Sequence, residues 1–386
     1  MTSKIAIRGA RIFDGGNWHE GKVLLVEGDR FAGIVAPGEV PADARNVDYD
    51  GQWIVPGFID LQVNGGGGAQ FGDVTSLEAI RTITSAHARF GTTKLLPTLI
   101  TDTPETTELA LEAGRAAHAA RVPGYLGLHL EGPHLSLARK GAHDPALIRP
   151  MQPDDVERLL RHRADVGVLL TTLAPENATL QQVETLTQAG ILVSIGHTDT
   201  TARTAQSYFA AGAAMVTHLF NAMSPLTHRE PGLVGAALNA PQVFAGLIAD
   251  GYHVDPIAMG IALRAKMGPA RIFLVTDAMS PIGTDMTGLM LNSRQIFRRD
   301  GRLTLADGTL AGADIDMLGC MRTATRLLGL PIEDVLRMAS LYPAEAVRLG
   351  DAHGRIEAGF VADFVALSPA LDHVATWIDG RLAFES

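Results

Sequence analysis

The stretch PGFIDLQVNGGGG, residues 56–68, begins like a buried strand and ends in four consecutive glycines. Just before the glycines stand Gln62 and Asn64, two residues apart and therefore on one face of an extended chain. What repeats behind this stretch decides the fold. Eight apolar, β-branched runs cover residues 53–64, 92–99, 125–131, 168–174, 192–197, 215–220, 244–250 and 271–277. The segments between them include SLEAIRTITSAHARFG, PDDVERLLRHRADVG and TLQQVETLTQAG, which carry helical spacing and end in glycine. Eight alternating units predict a (β/α)8 TIM barrel, with a doubly wound eight-stranded sheet as the competing topology.

Both chain ends read differently. KIAIRGARIF, GKVLLVEGDRFAGIV and ARNVDYDGQWIV at the start, and GRIEAGFVADFVALSP and ATWIDGRLAF at the end, are short strands and turns without an amphipathic helix. The expected organisation is one small β domain from residues 1–53 and 357–386 beside a barrel of residues 54–356. A length of 386 residues suits one large α/β domain plus a minor one, and 46% hydrophobic with 19% charged residues is globular composition. The start, MTSKIAIRGARIFDGG, lacks the basic-then-apolar pattern of a signal peptide, and no apolar run is long enough to span a bilayer. A cytoplasmic location without membrane partners is therefore expected. The single cysteine, Cys320, excludes an intrachain disulfide and any Cys-rich metal site. A net charge of −10, spread along the chain, disfavours nucleic-acid binding. An anionic small substrate would need a local cationic pocket against that field.

Polar residues close several of the runs: Gln62 and Asn64 the first, Glu131 the third, His197 the fifth, His218 the sixth, Asp277 the eighth. In a barrel the C-terminal strand ends converge on one mouth, so these residues can meet. A lone histidine is more often a satisfied core group than a ligand; five such strand ends are harder to dismiss. Glu131, His197 and His218 offer one carboxylate and two imidazoles, a set that suits a catalytic divalent metal with a position open for water. Such an ion acidifies water and polarises a carbonyl, and Asp277 could carry the proton to a leaving group. The chemistry is metal-assisted hydrolysis of an amide or ester, although ligands on separate strands leave no short-range signature to settle it.

In order, PGFIDLQVNG, GLHLEGPHLS, SIGHTDT, THLFNAMSP, REPGL, IADGYHVD, LVTDAMSP and TLAG, with PAEAVRLG and GRIEAGFVADFV behind them, resemble the N-acetylglucosamine-6-phosphate deacetylases of the amidohydrolase superfamily. The resemblance covers nearly the whole chain, and HLEGPH and HLFNAM are far more specific than PGFID. It implies a metal-dependent (β/α)8 barrel with a small β-sandwich domain formed by both termini. It implies hydrolysis of N-acetyl-D-glucosamine 6-phosphate to D-glucosamine 6-phosphate and acetate, in amino-sugar catabolism. Glu131, His197 and His218 match the ligands of a single catalytic metal, and Asp277 the general base and acid. Sugar-phosphate contacts fall on Ala142, His143, Asn221, Ala222, Arg229, Asp250, Gly251, Tyr252, His253, Leu310, Ala311 and Gly312. Arg229 would give phosphate a forked, permanent cation, His253 a second donor, and His143 a hydrogen bond to the acetyl carbonyl or a ring hydroxyl. A homodimer is implied, with one phosphate contact able to come from the neighbouring subunit. One divalent ion per subunit is expected, zinc by donor set, with iron, manganese or cobalt also accommodated.

Plainer readings stand beside these. Arg229 next to Glu230 could be an ordinary surface ion pair, and His143 could face solvent. His129 shares the strand face of Glu131 and is expected to orient it; His134 is expected to shape its loop. Ala313 and Asp314 depart from the small or hydroxyl side chains of the family, and Asp314 could lie near the sugar. Rival functions are deacetylation of N-acetylgalactosamine 6-phosphate, which differs only at C4, a cyclic-amide hydrolase or deaminase, and an inactive amidohydrolase-fold scaffold. The ligands and the base are all present, which disfavours the last. Much of the superfamily carries His-x-His on the first barrel strand, holding an additional metal; here that place reads Gln62-Val63-Asn64. Neutral amides make it a vacant second-metal position, expected to bond water, substrate or each other. The glycines behind it are expected to form a bare loop beside the mouth.

Overall fold

The computed structural model describes residues 4–291 and 294–386. Eight parallel strands follow one another in sequence order: β1 (Phe58–Val63), β2 (Thr92–Ile100), β3 (Gly127–Glu131), β4 (Val168–Leu173), β5 (Leu192–Ile195), β6 (Met215–Val216), β7 (Phe244–Ile248) and β8 (Ile272–Val275). The two edges also meet. Val63 bridges Ala278 in parallel, Asp277 N–H donates to the Gln62 carbonyl at 2.9 Å, and Asn64 N–H to the Ala278 carbonyl at 2.8 Å. That closure makes the sheet a barrel and excludes the doubly wound alternative, whose edges stay apart.

A buried carboxylate helps hold the seam. Asp60 on β1, fully shielded from solvent, accepts the Thr276 hydroxyl at 2.5 Å and the N–H groups of Thr276 and Gln62 at 3.2 Å each. Its burial, opposed by the Thr276 hydrogen bonds, pushes its pKa up to about 7.

Helices cover the outside: α1 (Leu77–Ala88), α2 (Pro104–Ala119), α3 (Pro153–His162), α4 (Leu180–Gln188), α5 (Ala202–Ala210), α6 (Gly232–Asn239), α7 (Pro256–Ala265) and α8 (Met317–Leu328). Ser76, Thr103, Thr179 and Thr201 cap four of them, each hydroxyl accepting an N–H three residues on at 3.2 Å; such a cap is worth about 1 kcal/mol. Gly91, Gly167 and Gly190, at the ends of the expected helical segments, all hold left-handed backbone, with φ of 85°, 77° and 87°, the conformation that stops a helix.

The first apolar run divides. Trp53–Pro56 pairs with Phe364–Leu367 in a terminal sheet, and only Phe58–Val63 enters the barrel. The break is at Gly57, where a Cβ would lie 2.2 Å from the Thr93 hydroxyl. Apolar periodicity does not announce a change of sheet. The chain ends build two further sheets, one of four strands (Lys4–Arg8, Val23–Glu27, Arg30–Val35, Arg45–Asp48) and one of six that runs from Trp18–His19 to Arg381–Glu385. Ile5, Leu24 and Phe31 from the first and Ile54, Phe364 and Trp377 from the second share one apolar cluster. Between β8 and α8 lies an antiparallel insertion, Gly288–Leu291, Arg294–Arg299, Arg302–Thr304 and Leu310–Ala313, that the eightfold pattern does not reveal. Among the described residues no helix is long and apolar enough to cross a membrane.

Candidate metal centre and active site

Glu131 is the last residue of β3, while His197, His218 and Asp277 each lie two residues beyond the ends of β5, β6 and β8. Those three carry left-handed backbone, with φ of 46°, 30° and 53°. Non-glycine residues adopt this conformation at a cost, and it concentrates at functional sites. All four side chains are buried and line one cavity of about 400 Å³ at the C-terminal mouth of the barrel.

Three electron-pair donors meet there in a nearly equilateral triangle. Glu131 Oε1 is 3.2 Å from His197 Nε2 and 3.1 Å from His218 Nε2, and the two imidazole nitrogens are 3.0 Å apart. A tetrahedral ion bound at about 2.0–2.1 Å holds its ligands roughly 3.3 Å apart, so the spacing fits a divalent cation. The electrostatics agree. Burial would raise Glu131, but hydrogen bonds from His197 and His218 hold it well below the carboxylate range. Burial would lower His218, yet the hydrogen bond and charge of Glu131 leave it raised. The cluster draws positive charge to its centre.

His143 competes for the third ligand position, because its donor atom lies with those of Glu131 and His197 within 4.8 Å of one another. The tautomers separate the two histidines. Thr101 N–H donates to His143 Nδ1 at 3.2 Å, and burial, aided by His197, drops the His143 pKa to about 3. The neutral ring therefore keeps its proton on Nε2, which faces Glu131 Oε2 at 3.8 Å as an N–H group. His197 does the reverse: its Nδ1–H donates to the Arg139 carbonyl at 2.9 Å, so Nε2, which faces Glu131, is the nitrogen that would present its lone pair to an ion. His143 is thus a donor aimed into the site rather than a ligand.

Gln62 and Asn64 do not bond each other. Gln62 Nε2 donates to Glu131 Oε1 at 3.0 Å, and Asn64 Nδ2 donates to Asp277 Oδ1 at 2.6 Å. Each amide orients one carboxylate, so the His-x-His position has become support for the cluster. Burial, then the negative charge of Glu131, pushes Asp277 up to about 6, poised for proton transfer near neutrality. The glycines behind are bare for a different reason from the one expected. A Cβ on Gly65 would strike the Ala69 carbonyl and Ser280 N–H, and one on Gly66 the His87 ring. Both pair with Ala69–Gln70 in a tight hairpin, and neither lines the cavity.

His143, Ala142, Asn221, Ala222, His253, Leu310 and Gly312 line the cavity; Arg229, Asp250, Gly251, Tyr252 and Ala311 do not. Asp250 stands behind His253: it accepts the Tyr252 and His253 N–H groups at 2.8 Å each and meets His253 Nδ1 at 2.6 Å. Arg229 is exposed, and the plainer reading of it as a surface ion pair with Glu230 is not met, since Glu230 accepts the N–H groups of Ala202 and Gly232. His129 does not hydrogen-bond Glu131. It meets the Thr172 hydroxyl at 2.7 Å, at the head of a chain through Thr217 to Ser194, with 2.6 Å links. Asp314 does not line the cavity and forms an ion pair with Arg298 at 2.8 Å. Thr101, the Arg139 carbonyl and this hydroxyl chain escaped the sequence reading. Their roles depend on contacts between strands, and only Asp60, in register with Gln62 and Asn64, left a periodic trace.

Residues 53–383 match the amidohydrolase family. The chain is 40% identical to the N-acetylgalactosamine-6-phosphate deacetylase of Shewanella sp. (strain ANA-3), over 98% of this chain and 95% of that one. It is 33% identical to the N-acetylglucosamine-6-phosphate deacetylase of Haemophilus influenzae, over 93% of each. A crystal structure of N-acetylglucosamine-6-phosphate deacetylase from Pasteurella multocida superposes with a TM-score of 0.95 at 34% identity, covering 99% of this chain and all of that one. A Mycobacterium smegmatis relative, solved with N-acetyl-D-glucosamine-6-phosphate, superposes at 0.89 and 30% identity, covering 99% of each.

Proposed function

The chain belongs to the amidohydrolase family, and from that membership we propose that it hydrolyses N-acetyl-D-glucosamine 6-phosphate to D-glucosamine 6-phosphate and acetate. The observation that carries this reading is the triangle of Glu131, His197 and His218 beside Asp277 in one small cavity. Glu131, His197 and His218 would hold one divalent ion, zinc by donor set, and the ion would polarise the acetyl carbonyl and acidify water.

The protein's own groups do the rest. His143 directs its Nε2–H toward the acetyl carbonyl oxygen, where negative charge develops as water adds to the carbon. Asp277 accepts the proton of that water, and Asn64 holds the receiving carboxylate in place. As the C–N bond breaks, Asp277 returns the proton to the departing nitrogen, which leaves as the amine while the acyl carbon leaves as acetate. His253, its Nδ1 held by Asp250, turns its other edge to the cavity and is read as a phosphate contact. Asn221 and Ala222, in the loop that follows β6, face the same cavity and contact the sugar phosphate. Arg229, exposed and outside the cavity of its own chain, is read as the phosphate contact supplied to the neighbouring copy of a homodimer. The two terminal sheets are read as a β-sandwich domain of both chain ends, its first segment carried past the expected residue 53 to Pro56 because Trp53–Pro56 pairs with Phe364–Leu367, and its second within residues 357–386.

A second reading has one observation in its favour, the 40% identity to an N-acetylgalactosamine-6-phosphate deacetylase. Acetate release from the two 6-phosphates, measured side by side, separates them. A higher kcat/KM for the gluco epimer supports the first reading; a higher value for the galacto epimer replaces it, and release from neither refutes both.

A further inference from the structure

The opposite, N-terminal end of the barrel opens into a groove of about 1340 Å³ between the loops that precede the strands and the terminal sheets. Seven Arg and Lys side chains line it against two aspartates, in a chain whose formal charge is −10. Lys94 is neutralised, 2.9 Å from Asp379 and 3.3 Å from Asp363. Arg81, Arg121, Arg348 and Arg381 are not: all four are exposed, and none has a side-chain hydrogen bond or acidic partner among the described residues. Arg121 follows the end of α2 and Arg348 the end of the helix Leu341–Ala346, and their φ values are 49° and 62°. Glycine is the favoured residue at such a position; here two guanidinium groups occupy it on the same groove. Leu126, Leu349 and Leu382, none of them fully buried, line that groove as well.

We propose that this groove binds an organic diphosphate of the nucleoside-diphosphate class. The arginine forks match phosphate oxygens bidentately, and unpaired guanidinium groups lose no internal ion pair on binding them. Leu126, Leu349 and Leu382, each partly open to solvent, give the organic part an apolar surface between the charges. Barrel enzymes place their chemistry at the C-terminal mouth, so this ligand does not compete with substrate and both bind at once.

Calorimetric titration of the metal-loaded full-length protein with ADP, pyrophosphate and adenosine tests the assignment. ADP is expected to bind, pyrophosphate more weakly and adenosine not at all. Arg121→Ala with Arg348→Ala should weaken ADP about tenfold or more, as expected for losing charge-assisted bonds, while deacetylase turnover and melting temperature stay unchanged. Arg121→Lys with Arg348→Lys, which keeps the charge, should recover part of the affinity and guards against a folding artefact. Absence of ADP binding, adenosine binding as tightly as ADP, or an unchanged Kd in the double alanine variant would each overturn the site. The last outcome would place the nucleotide in the catalytic cavity instead. Pyrophosphate binding as tightly as ADP would remove the nucleoside from the proposal.

Discussion

The two ends of the barrel treat charge in opposite ways. At the C-terminal mouth, Glu131, His197, His218 and Asp277 are buried in a cavity of about 400 Å³, and each hydrogen-bonds a named neighbour. At the N-terminal mouth, arginines stand exposed around a groove of about 1340 Å³, and four of them have no side-chain partner among the described residues. Burial is what gives the first set its chemistry. It raises Asp277, lowers His143 and forces proton positions on each imidazole. The exposed arginines, forked and always cationic, can only attract an anion. One end is built to move protons and the other to hold an anion.

The sharpest way to break this contrast is Asp277→Asn. It should lower kcat by about 10²–10⁴-fold, the usual scale for a general acid–base group, with metal content and substrate Kd retained; full activity in the metal-loaded variant would refute the assignment. Gln62→Ala removes the amide that orients Glu131, and should weaken metal affinity by about 10–100-fold, as losing an orienting partner does, measured by competition with a chelator.

The pH profile of kcat/KM follows from Asp277. Its base form is required; burial raises its pKa to about 6 and a divalent ion beside it favours the carboxylate. The acid limb should therefore lie at or below about 6, with the rate falling about tenfold per pH unit beneath it. An acid limb above about 6 would contradict the assignment. Asp60→Ala should destabilise the barrel by about 1–3 kcal/mol for each buried donor it strands, read by urea denaturation. Asp60 also carries a linkage of definite sign. Its folded pKa of about 7 exceeds the unfolded one, so its contribution to stability is full below the unfolded carboxylate pKa and is lost as pH rises through about 7. In Asp60→Asn that slope should disappear. The smallest effect belongs to the other end, where Arg121→Ala with Arg348→Ala should leave kcat/KM for the deacetylation unchanged.

The eightfold alternation was legible because parallel strands covered on both faces read as apolar runs and their helices end in glycine. The strand-end residues Glu131, His197, His218 and Asp277 were legible for the same reason: a barrel brings its C-terminal ends together. Proton positions were not, because Thr101 and the Arg139 carbonyl act on His143 and His197 from distant parts of the chain. The Gly57 break was hidden inside one continuous apolar run, and the insertion of residues 288–313 interrupts no period. Gln62 and Asn64 could be placed on one face from their spacing, but which carboxylate each serves depends on the closure of β1 against β8.

The central claim is a single ion on Glu131, His197 and His218 serving deacetylation. Titrating chelator-stripped protein with zinc while following acetate release from N-acetyl-D-glucosamine 6-phosphate tests it most directly. Activity should rise from near zero and saturate at one equivalent per chain. Saturation at two equivalents, or full activity in the stripped protein, would contradict it.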